Sequence, residues 1–583
     1  MKKDLSRKIL CSILAAGLCG TASLALAANS GGEMTKINFG FGDEDVYVGN
    51  NGTGSNNEVY FDDNSNNTGI YVFGGYAESG EASSNSLTVN GTTVKYACGG
   101  YAYSGTANNN SVVISYSNVG NNVYGGQTFD GTANNNSVVV IDSTVSNYVF
   151  GGYAYSGTAN NNSVTIAGSS DLTAASLLGR NSYATGTGNK LVLVGFNGGD
   201  KTVKSLKNFD SIEVKALDKN ENYVVGTTYT VLTATNGITS SYVGEASQIA
   251  LIGVAKEAYG TVAIEGDEKI TFAVNDIQAS RQSAITTEAR AGVTAFVNQG
   301  AEVVADNLNM LSQSEEGINT FATVSGNNSK YDTGSYADIN GWNSIVGIAS
   351  TKEIGKDKLN YGAFFENGSG NYNTCNEIGG ASFRGDGNVL YNGGGVMVRL
   401  DKENGFYTEA AVRAGSVKNE AGKGLSDGLY TYDYETENAY YGGHIGIGKI
   451  FKLDNGKAWD VYGKYFHMHH EGDSVEIAGD TFDFDSVDSN KLRIGARFTE
   501  TQSEKLTSYY GLAWDYEFSG DVKGTAGGYD MHTPSLEGST VIGEIGFRYT
   551  PGKESPWYFD ANVKGYAGVQ EGLSGSVQAV YSF

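Results

Sequence analysis

Twelve segments of about ten residues, each alternating apolar and polar side chains, follow one another from Thr320 to the C-terminal Phe583. A period of two places every second side chain on the same face of an extended strand. The pattern is clear between Leu492 and Phe498, where four apolar residues alternate with polar ones, and again between Trp557 and Lys564. This half of the chain is therefore predicted to form antiparallel strands, which occur in soluble sandwiches and in membrane barrels.

The lengths of the connections between these segments distinguish the two folds. Outer-membrane barrels have tight periplasmic turns, longer external loops and an even number of strands. Short connections lie at about 351–357, 401–404, 453–457, 502–505 and 551–556, and they alternate with long ones at about 371–388, 418–437, 471–489 and 517–538. The alternation predicts a 12-stranded antiparallel transmembrane β-barrel over residues 315–583.

The N-terminus has the features of a secretory signal peptide over residues 1–27. Four basic residues precede the apolar run Ile9–Leu26, and Ala25 and Ala27 are the small residues expected at a cleavage site. No later segment contains eighteen consecutive apolar residues, so any part of this exported chain that spans a membrane is expected to consist of strands.

The net charge argues against a nucleic-acid partner, and the cysteine content argues against a disulfide framework. Removal of the signal peptide takes the net charge from −25 to −28, and this balance argues against a nucleic-acid partner. Only Cys98 and Cys375 remain after processing, in different halves of the chain, so no disulfide framework is indicated.

A repeat of about 26 residues organises the N-terminal half. Paired glycines at 74–75, 99–100, 125–126 and 151–152 are spaced by 25, 26 and 26 residues, and a degenerate copy begins at Gly179. The clear copies continue into three asparagines and a short strand with one apolar face. Stacking would bury these faces together and align the asparagines, so we predict a right-handed parallel β-helix over residues 28–200. A β-propeller is the alternative, but its blades need about 40 residues.

Two further segments connect the repeat to the barrel. Residues 201–280 lose the repeat and are expected to cap the last rung, which would otherwise expose unpaired backbone. Residues 281–314 contain the one convincingly helical stretch, rich in alanine and free of proline. The helical part, roughly Arg281 to Leu311, would reach about 46 Å at 1.5 Å per residue, more than the roughly 30 Å of a bilayer core. We therefore predict a slim helix through the barrel lumen.

Signal peptide, repeat, helix and twelve-stranded barrel together resemble the monomeric autotransporters of the type V secretion pathway. The resemblance covers the whole chain in architecture and is most specific in the barrel, at Ala439–Gly446 (AYYGGHIG) and Asp460–Tyr465 (DVYGKY). It implies that the barrel inserts into the lipid of the bacterial outer membrane with the help of periplasmic chaperones and the barrel-assembly machinery. It also implies that the barrel passes the N-terminal half, the passenger, to the cell surface.

Two features of the family can be compared residue by residue. Phe583, with Tyr581, Ala579 and Val577 at two-residue spacing, resembles the C-terminal signal by which outer-membrane barrels are recognised for assembly. Some members cleave themselves within the pore at an Asn-Asn pair in the helix. Here Leu308 separates Asn307 from Asn309, so this helix position lacks the Asn-Asn pair. We therefore expect the passenger to remain attached.

The sequence contains few candidates for catalysis or metal binding. All five histidines lie in the barrel half, so the passenger has no Ser-His-Asp triad. His467, His469 and His470 form the most metal-like cluster, but a strand end at the membrane surface is the preferred interpretation. The acidic residues at 43–45 are interpreted as a solvated turn.

One short motif is a candidate for recognition at the cell surface. Arg384, Gly385 and Asp386 form an Arg-Gly-Asp tripeptide in the long connection at about 371–388, which is predicted to be an external loop. In such a loop the three residues would be a possible surface ligand motif that could attract an integrin. A tripeptide arises readily by chance, so the preferred interpretation is that the motif has no such role.

The functional hypothesis is therefore a surface-anchored, non-enzymatic passenger without a cofactor, an adhesin or aggregation factor that binds host or bacterial surface glycans or proteins. Tyrosines and asparagines on a regular solenoid face suit such contacts. The alternatives are a passenger hydrolase that uses two carboxylates and a plain outer-membrane channel.

Overall fold

The computed structural model describes residues 34–37, 46–49, 54–62, 69–240, 242, 246–552 and 555–583. The predicted signal peptide, with Ala25 and Ala27, and the acidic turn at 43–45 lie outside these residues and stay predictions. The chain divides into two compact units. The passenger unit comprises the residues up to Gln278 together with Ser426–Tyr430, and the barrel unit comprises Ala279–Leu425 and Thr431–Phe583.

The passenger unit is a stack of short parallel strands, which confirms the predicted β-helix. The first strands are β1 (Met34–Ile37), β2 (Val46–Gly49), β3 (Glu58–Phe61), β4 (Tyr71–Glu81), β5 (Ser86–Asn90), β6 (Thr93–Val94), β7 (Tyr96–Thr106) and β8 (Ser111–Ser115). The next are β9 (Asn118–Val119), β10 (Asn122–Thr132), β11 (Ser137–Ile141), β12 (Thr144–Val145), β13 (Tyr148–Thr158), β14 (Ser163–Ala167), β15 (Leu172–Arg180) and β16 (Lys190–Val194). The last are β17 (Thr202–Lys207), β18 (Ser211–Leu217), β19 (Thr228–Ala234), β20 (Ile238–Thr239), β21 (Ala246–Ile252), β22 (Lys256–Glu265) and β23 (Lys269–Ala279).

Each rung of the stack pairs with the next at the sequence repeat. Strands β4, β7, β10 and β13 form one parallel sheet, and β5, β8, β11 and β14 form a second. The inward valines, isoleucines and leucines of both sheets form one continuous core. The paired glycines allow this close packing, because a Cβ on Gly125 would lie 2.9 Å from Cβ of Asn136 and even closer to the carbonyl oxygen of Gly151.

The parallel stack ends in antiparallel strands. Strand β22 pairs with β21, and strand β23 pairs with β19, both in antiparallel register. These strands occupy backbone groups that a further rung would otherwise use.

Helix α1 (Ala284–Leu311) opens the barrel unit and follows a short 3₁₀ turn, Arg281–Ser283. Nearly all of its residues are buried, polar ones included. No helix among the described residues is both long enough and apolar enough to cross a membrane. The helix packs against side chains of the barrel strands, which account for its burial.

The barrel unit confirms the predicted closed barrel of twelve antiparallel strands. These strands are β24 (Gly317–Asp332), β25 (Tyr336–Ile354), β26 (Asp357–Ile378), β27 (Ala381–Asp401), β28 (Phe406–Ser426), β29 (Thr431–Lys452), β30 (Lys457–His470), β33 (Val487–Thr501), β34 (Leu506–Glu517), β37 (Gly538–Tyr549), β38 (Trp557–Gly568) and β39 (Gln570–Ser582). A smaller four-stranded sheet consists of β31 (Asp473–Ile477), β32 (Asp480–Phe484), β35 (Gly524–Ala526) and β36 (Tyr529–Asp530).

The side chains of the barrel strands alternate as the sequence predicted. Apolar side chains such as Ile494, Leu512 and Val577 are exposed on the outer surface. Charged side chains such as Arg493 and Lys564 are buried on the lumen side. A band of exposed apolar residues on a closed barrel suits contact with lipid.

Two of the four predicted long loops are wrong. Strands β26 to β29 extend through the regions predicted as loops, so only residues 379–380 and 427–430 connect β26 to β27 and β28 to β29. Glycine, asparagine and aspartate suggested turns there, but in long hairpins the backbone of these residues pairs across the strands.

The predicted position of the Arg-Gly-Asp tripeptide in an external loop is wrong for the same reason. Arg384, Gly385 and Asp386 lie within β27, and Gly385 pairs with Thr374 of β26. Gly385 is buried, and a Cβ on it would collide with the side chain of Ile285 on α1, whereas its two charged neighbours are exposed. The alternation of the strand therefore turns the glycine toward the lumen, and a role of the tripeptide as a surface ligand stays a prediction.

Candidate functional site

The first candidate site is the barrel lumen, where glycines and aromatic rings accommodate helix α1. The ring of Phe296 on the helix packs where Gly341 lies on the wall, since a Cβ on Gly341 would be 2.7 Å from the ring. Gly300 on the helix lies against Tyr391 and Arg413, and a Cβ there would be 2.9 Å from Arg413 Nη2. The helix and the wall therefore approach each other at positions where glycine removes the obstructing atom.

Arg413 joins the wall to the helix at mid-height. Its Nη1 donates to the carbonyl oxygen of Val297 on α1 at 2.8 Å, and its Nε donates to Glu366 at 2.8 Å. The Tyr440 hydroxyl donates to the same carboxylate oxygen at 2.7 Å. The buried guanidinium is thus paired and hydrogen-bonded, as a charge in this environment has to be.

Acidic residues of the helix face basic residues of the wall. Glu302 lies 2.6 Å from Lys491 Nζ and 2.9 Å from Arg493 Nη2. One turn later, Asp306 accepts a hydrogen bond from Lys564 Nζ at 2.6 Å. Buried ion pairs of this kind add little net stability but fix which groups meet. They therefore set the rotation and height of the helix in the lumen.

The two asparagines near the end of the helix are hydrogen-bonded to the wall. The Thr323 hydroxyl donates to Asn307 Oδ1 at 2.8 Å, and Gln578 donates to the same oxygen. Arg399 Nη1 donates to Asn309 Oδ1 at 2.8 Å. Both amide groups of the Asn-Leu-Asn sequence are thus held by wall residues.

The other end of the helix is held by wall residues and by the connections between strands. Glu288 accepts hydrogen bonds from Asn376 at 2.9 Å and from the Thr333 hydroxyl. The Thr287 hydroxyl donates to the carbonyl oxygen of His532 at 2.8 Å. Helix α1 is therefore bound to the barrel at both ends and in the middle, which closes the lumen to large solutes.

The second candidate site is an outward surface of the passenger unit that we term the aromatic face. It is formed by the outward side chains of β4, β7, β10 and β13 and by Tyr183 after β15. Its aromatic residues are Tyr71, Phe73, Tyr76, Tyr96, Tyr101, Tyr103, Tyr124, Phe129, Tyr148, Phe150, Tyr153, Tyr155 and Tyr183. Tyrosines on a solenoid face were expected from the sequence, but their grouping by position in the repeat was not.

The rings of the aromatic face stack from rung to rung. Ring centroids are 5.4 Å apart for Tyr103 and Phe129 and 4.7 Å apart for Phe129 and Tyr155, with nearly parallel planes. The exposed fractions of these three side chains are 51, 46 and 48%. Because each ring covers the face of the next, the surface offers ring edges and hydroxyl groups to a partner.

The asparagines of the repeat form an internal ladder. Asn110, Asn136 and Asn162 are buried, and Asn136 and Asn162 each accept a hydrogen bond from the side-chain amide of the previous rung, at 3.1 Å. The middle residue of each triplet adopts a positive φ, 56° at Asn135, which asparagine tolerates better than most residues. The buried asparagines of the ladder support the fold and are not available to a ligand.

Cys98 lies on the outward side of β7 beneath the aromatic rings. It is buried and free, as is Cys375 in the barrel unit. Burial raises the pKa of the Cys98 thiol, so the reactive thiolate is disfavoured. The geometry gives this cysteine no nucleophilic role.

The structure separates the three clustered histidines. His467 contacts Asn490 at 2.9 Å and His469 contacts Asp488 at 2.7 Å, both toward the outside of the barrel. His470 is buried on the lumen side, where Nδ1 lies 3.0 Å from the Thr294 hydroxyl of α1. In the described part of the chain, no three histidine, cysteine or acidic residues are placed to hold a metal ion.

The C-terminal strand closes the barrel. Strand β39 pairs with β24, and the backbone amide of Phe583 donates to the carbonyl oxygen of Ile318 at 2.9 Å. Val577 and Phe583 are exposed on the outer surface. Tyr581 packs edge to face with Phe583 at 4.8 Å. Ala579 shares the outward face with these three residues of the predicted assembly signal, and recognition by the assembly machinery stays a prediction.

Comparisons with known proteins bear on the barrel unit. The sequence model of the autotransporter beta-domain family matches residues 320–562. No curated protein is significantly similar to the chain in sequence.

Similar solved structures include the beta domain of the Bordetella autotransporter BrkA, with 14% identity and a TM-score of 0.37, covering 46% of this chain and 100% of that one. The translocator domain of NalP from Neisseria meningitidis has 13% identity and a TM-score of 0.39, covering 52% of this chain and 100% of that one. The transport unit of AIDA-I from Escherichia coli has 13% identity and a TM-score of 0.37, covering 49% of this chain and 99% of that one.

The family match therefore falls on the strands that form the closed barrel and surround helix α1. Residues 320–562 belong to the autotransporter β-domain family, and this domain indicates that the protein lies in the outer membrane with its passenger exposed on the cell surface.

Proposed function

We propose that the passenger is a non-enzymatic adhesin that binds a protein surface on a host cell or a neighbouring bacterium through the aromatic face. The observation that supports this proposal is the row Tyr103, Phe129, Tyr155 and Tyr183, which is exposed over four successive rungs. Large exposed apolar surfaces are uncommon on soluble proteins and mark interaction sites. Aromatic residues are also enriched at the centres of protein interfaces.

The stacking of the rings favours a protein partner over a glycan. Sugars bind aromatic side chains through ring faces, whereas Tyr103, Phe129 and Tyr155 cover one another's faces at 4.7 and 5.4 Å. The exposed edges and hydroxyl groups suit a flat protein surface, where tyrosine combines apolar contact with a hydrogen bond.

The aromatic face lacks the arrangement that a carboxylate hydrolase would use. Its acidic residues include Glu78 and Asp130, which lie two rungs apart on an open surface. A glycosidase needs two carboxylates on opposite sides of a substrate in a cleft. We therefore retain binding as the proposed activity.

We also propose that the passenger stays attached to the barrel. Asn307 and Asn309 are separated by Leu308, and both asparagine side chains are hydrogen-bonded to the barrel wall. For delivery and insertion, the partners we propose are periplasmic chaperones and the assembly machinery, which would bind the outward residues of β39.

Full-length protein displayed on cells that lack other adhesins tests the proposed function. Cells are incubated with panels of matrix proteins and glycans, and settling of the culture reports binding between cells. The variant carries Tyr103→Ser, Phe129→Ser and Tyr155→Ser together. The control carries Val224→Ser and Val225→Ser, which remove two other exposed apolar side chains of the passenger.

We expect the parent and the control to bind at least one protein target or to settle, and the triple variant to lose at least tenfold in bound target at equal surface display. Equal binding by the triple variant would show that the aromatic face is not the binding surface. Binding to glycans alone would contradict the protein partner, and hydrolysis of any panel member would contradict the non-enzymatic assignment.

A further inference from the structure

A small cavity lies between helix α1 and the barrel wall, near the N-terminal end of the helix. The space that the centre of a water-sized sphere can occupy is about 10 Å³. This is enough for about one water molecule or one small ion. The residues that matter for its chemistry are Arg290, Tyr434, His470 and Phe484. This cavity is separate from the contacts that hold the helix at Glu302 and Arg413.

Three polar atoms of the lining are buried without a hydrogen-bond partner among the described residues. They are Nε of Arg290, the hydroxyl oxygen of Tyr434 and Nε2 of His470. The Arg290 and His470 side chains are at least nine-tenths buried. A buried polar atom without a partner costs about 1 to 3 kcal/mol, so three around one cavity indicate a bound species that satisfies them together.

The charge of Arg290 indicates the sign of that species. Arg413 and Arg493 in the same lumen each pair with a carboxylate, Glu366 and Asp515 respectively. Within the described residues, no carboxylate lies within 4.0 Å of Arg290. Its Nη2 donates to the carbonyl oxygens of Glu471 and, at 3.3 Å, of Asp485, which are neutral acceptors. The carboxylates of Asp473 and Asp485 act on the guanidinium only from beyond that distance, and an anion in the adjacent cavity would supply the direct partner that a buried charge needs.

The two other polar atoms without a partner, on His470 and Tyr434, can also donate to an anion. When the Thr294 hydroxyl donates to Nδ1 of His470 at 3.0 Å, the proton of the neutral imidazole is on Nε2 and faces the cavity. The Tyr434 hydroxyl is a third donor. The guanidinium of Arg290 lies 5.6 Å from the centre of the Phe484 ring, which belongs to the small sheet.

We propose that this cavity is a halide site, occupied by chloride, with Arg290 Nε, Tyr434 Oη and His470 Nε2 as its donors. The ion neutralises Arg290 and joins the helix to β29 and β30. Chloride therefore stabilises the closed state of the barrel, an effect that does not depend on what the passenger binds.

Diffraction from crystals of the full-length protein grown in bromide tests the site directly. We expect an anomalous peak within hydrogen-bonding distance of all three donor atoms. A water molecule at this position in bromide-grown crystals, with no anomalous peak, would overturn the proposal, as would an empty cavity.

The second test measures the unfolding temperature of the full-length protein in detergent, in chloride and in gluconate at equal ionic strength. Binding to the folded state raises the unfolding temperature with chloride concentration. We expect this rise in the parent protein and its loss in Arg290→Gln. The control Arg281→Gln, which removes an arginine outside the cavity that lies over Phe383, is expected to keep it.

If Arg290→Gln does not fold, Tyr434→Phe replaces it, because this change removes one donor and keeps the ring. We expect the chloride-dependent rise in Tyr434→Phe to be smaller than in the parent protein. An unchanged chloride dependence in Tyr434→Phe or in Arg290→Gln would overturn the assignment of these donors.

Discussion

Glu302 on helix α1 lies 2.6 Å from the ammonium group of Lys491 on the barrel wall, although 189 residues separate them in the chain. The carboxylate also pairs with Arg493, and all three side chains are largely buried. The helix is therefore held in the lumen by charge as well as by packing.

Glu302→Gln is expected to lower the free energy of unfolding of the barrel unit by about 3 kcal/mol, because removing one partner leaves buried charges uncompensated. The control is Glu403→Gln, which breaks a pair with Lys356 at the same distance of 2.6 Å but with side chains 76 and 59% exposed. That change should cost less than about 1 kcal/mol. Denaturant unfolding of the purified protein measures both, and equal losses would contradict a structural role of the Glu302 pair.

Gly300→Ala is expected to loosen the helix, because the added Cβ would meet Tyr391 and Arg413. The matched control is Gly292→Ala in the same helix, where the nearest atom to the new Cβ would be 3.5 Å away. Both changes gain about 1 kcal/mol in helix propensity, so a difference between them reports the contact with the wall. Single-channel conductance in planar bilayers should rise in Gly300→Ala and stay at the parent value in Gly292→Ala.

Asn136→Leu is expected to destabilise the passenger by at least about 2 kcal/mol, because it leaves buried amide groups of the neighbouring rungs without partners. Asn135→Gly serves as the control, since glycine accepts the positive φ of 56° at this position. Protease digestion of the displayed passenger on intact cells compares the two. Equal resistance in Asn136→Leu and the parent would exclude a structural role of the ladder.

Cys98 is expected to make passenger stability decrease with rising pH. Burial raises the pKa of this thiol in the folded state, whereas an unfolded thiol has a pKa of about 8.5. Above that pH the unfolded chain loses a proton that the folded chain keeps, so the free energy of unfolding falls. Below it the two states bind the same number of protons at this site and the contribution is constant.

The test compares Cys98→Ala with the parent chain in a Cys375→Ser background. Between about pH 8 and 9, where an unfolded tyrosine with a pKa of about 10 stays largely protonated, the parent should lose more stability than Cys98→Ala. The folded parent should also resist maleimide at about pH 8, below the thiol's unfolded pKa, and react once unfolded. Rapid labelling of the folded protein would contradict the burial of this side chain.

The rungs of the passenger could be predicted because the residues that form each rung recur at a nearly constant interval in the sequence. Paired glycines and triple asparagines return every 25 or 26 residues, and the same offset sets the register, with Cys98 opposite Tyr124 and Tyr124 opposite Phe150. The aromatic face follows the same offset and could have been predicted by aligning the copies. The prediction erred by assigning all asparagines to one role, whereas Asn136 is buried in the ladder and Asn135 forms the turn.

The helix in the lumen could be predicted in outline, but its partners could not. Asp306 and Lys564 are 258 residues apart, and their contact depends on the closure of twelve strands. The unpaired state of Arg290 is equally invisible in sequence, because it depends on which carboxylates the fold brings near. The loop at 371–388 was wrong for a related reason, since its turn-forming residues, Gly385 among them, pair with a neighbouring strand.

The constant offset between rungs has a consequence for how such a passenger can change in evolution. Loss of residues 122–147 would bring β7 directly beside β13, with Gly100 opposite Gly152 and Asn110 able to bond to Asn162, as each now does with the intervening rung. Unequal recombination between the copies in the gene would therefore lengthen or shorten the surface structure by whole rungs without disturbing the fold. The reach of the protein beyond the membrane can thus vary independently of the barrel that anchors it.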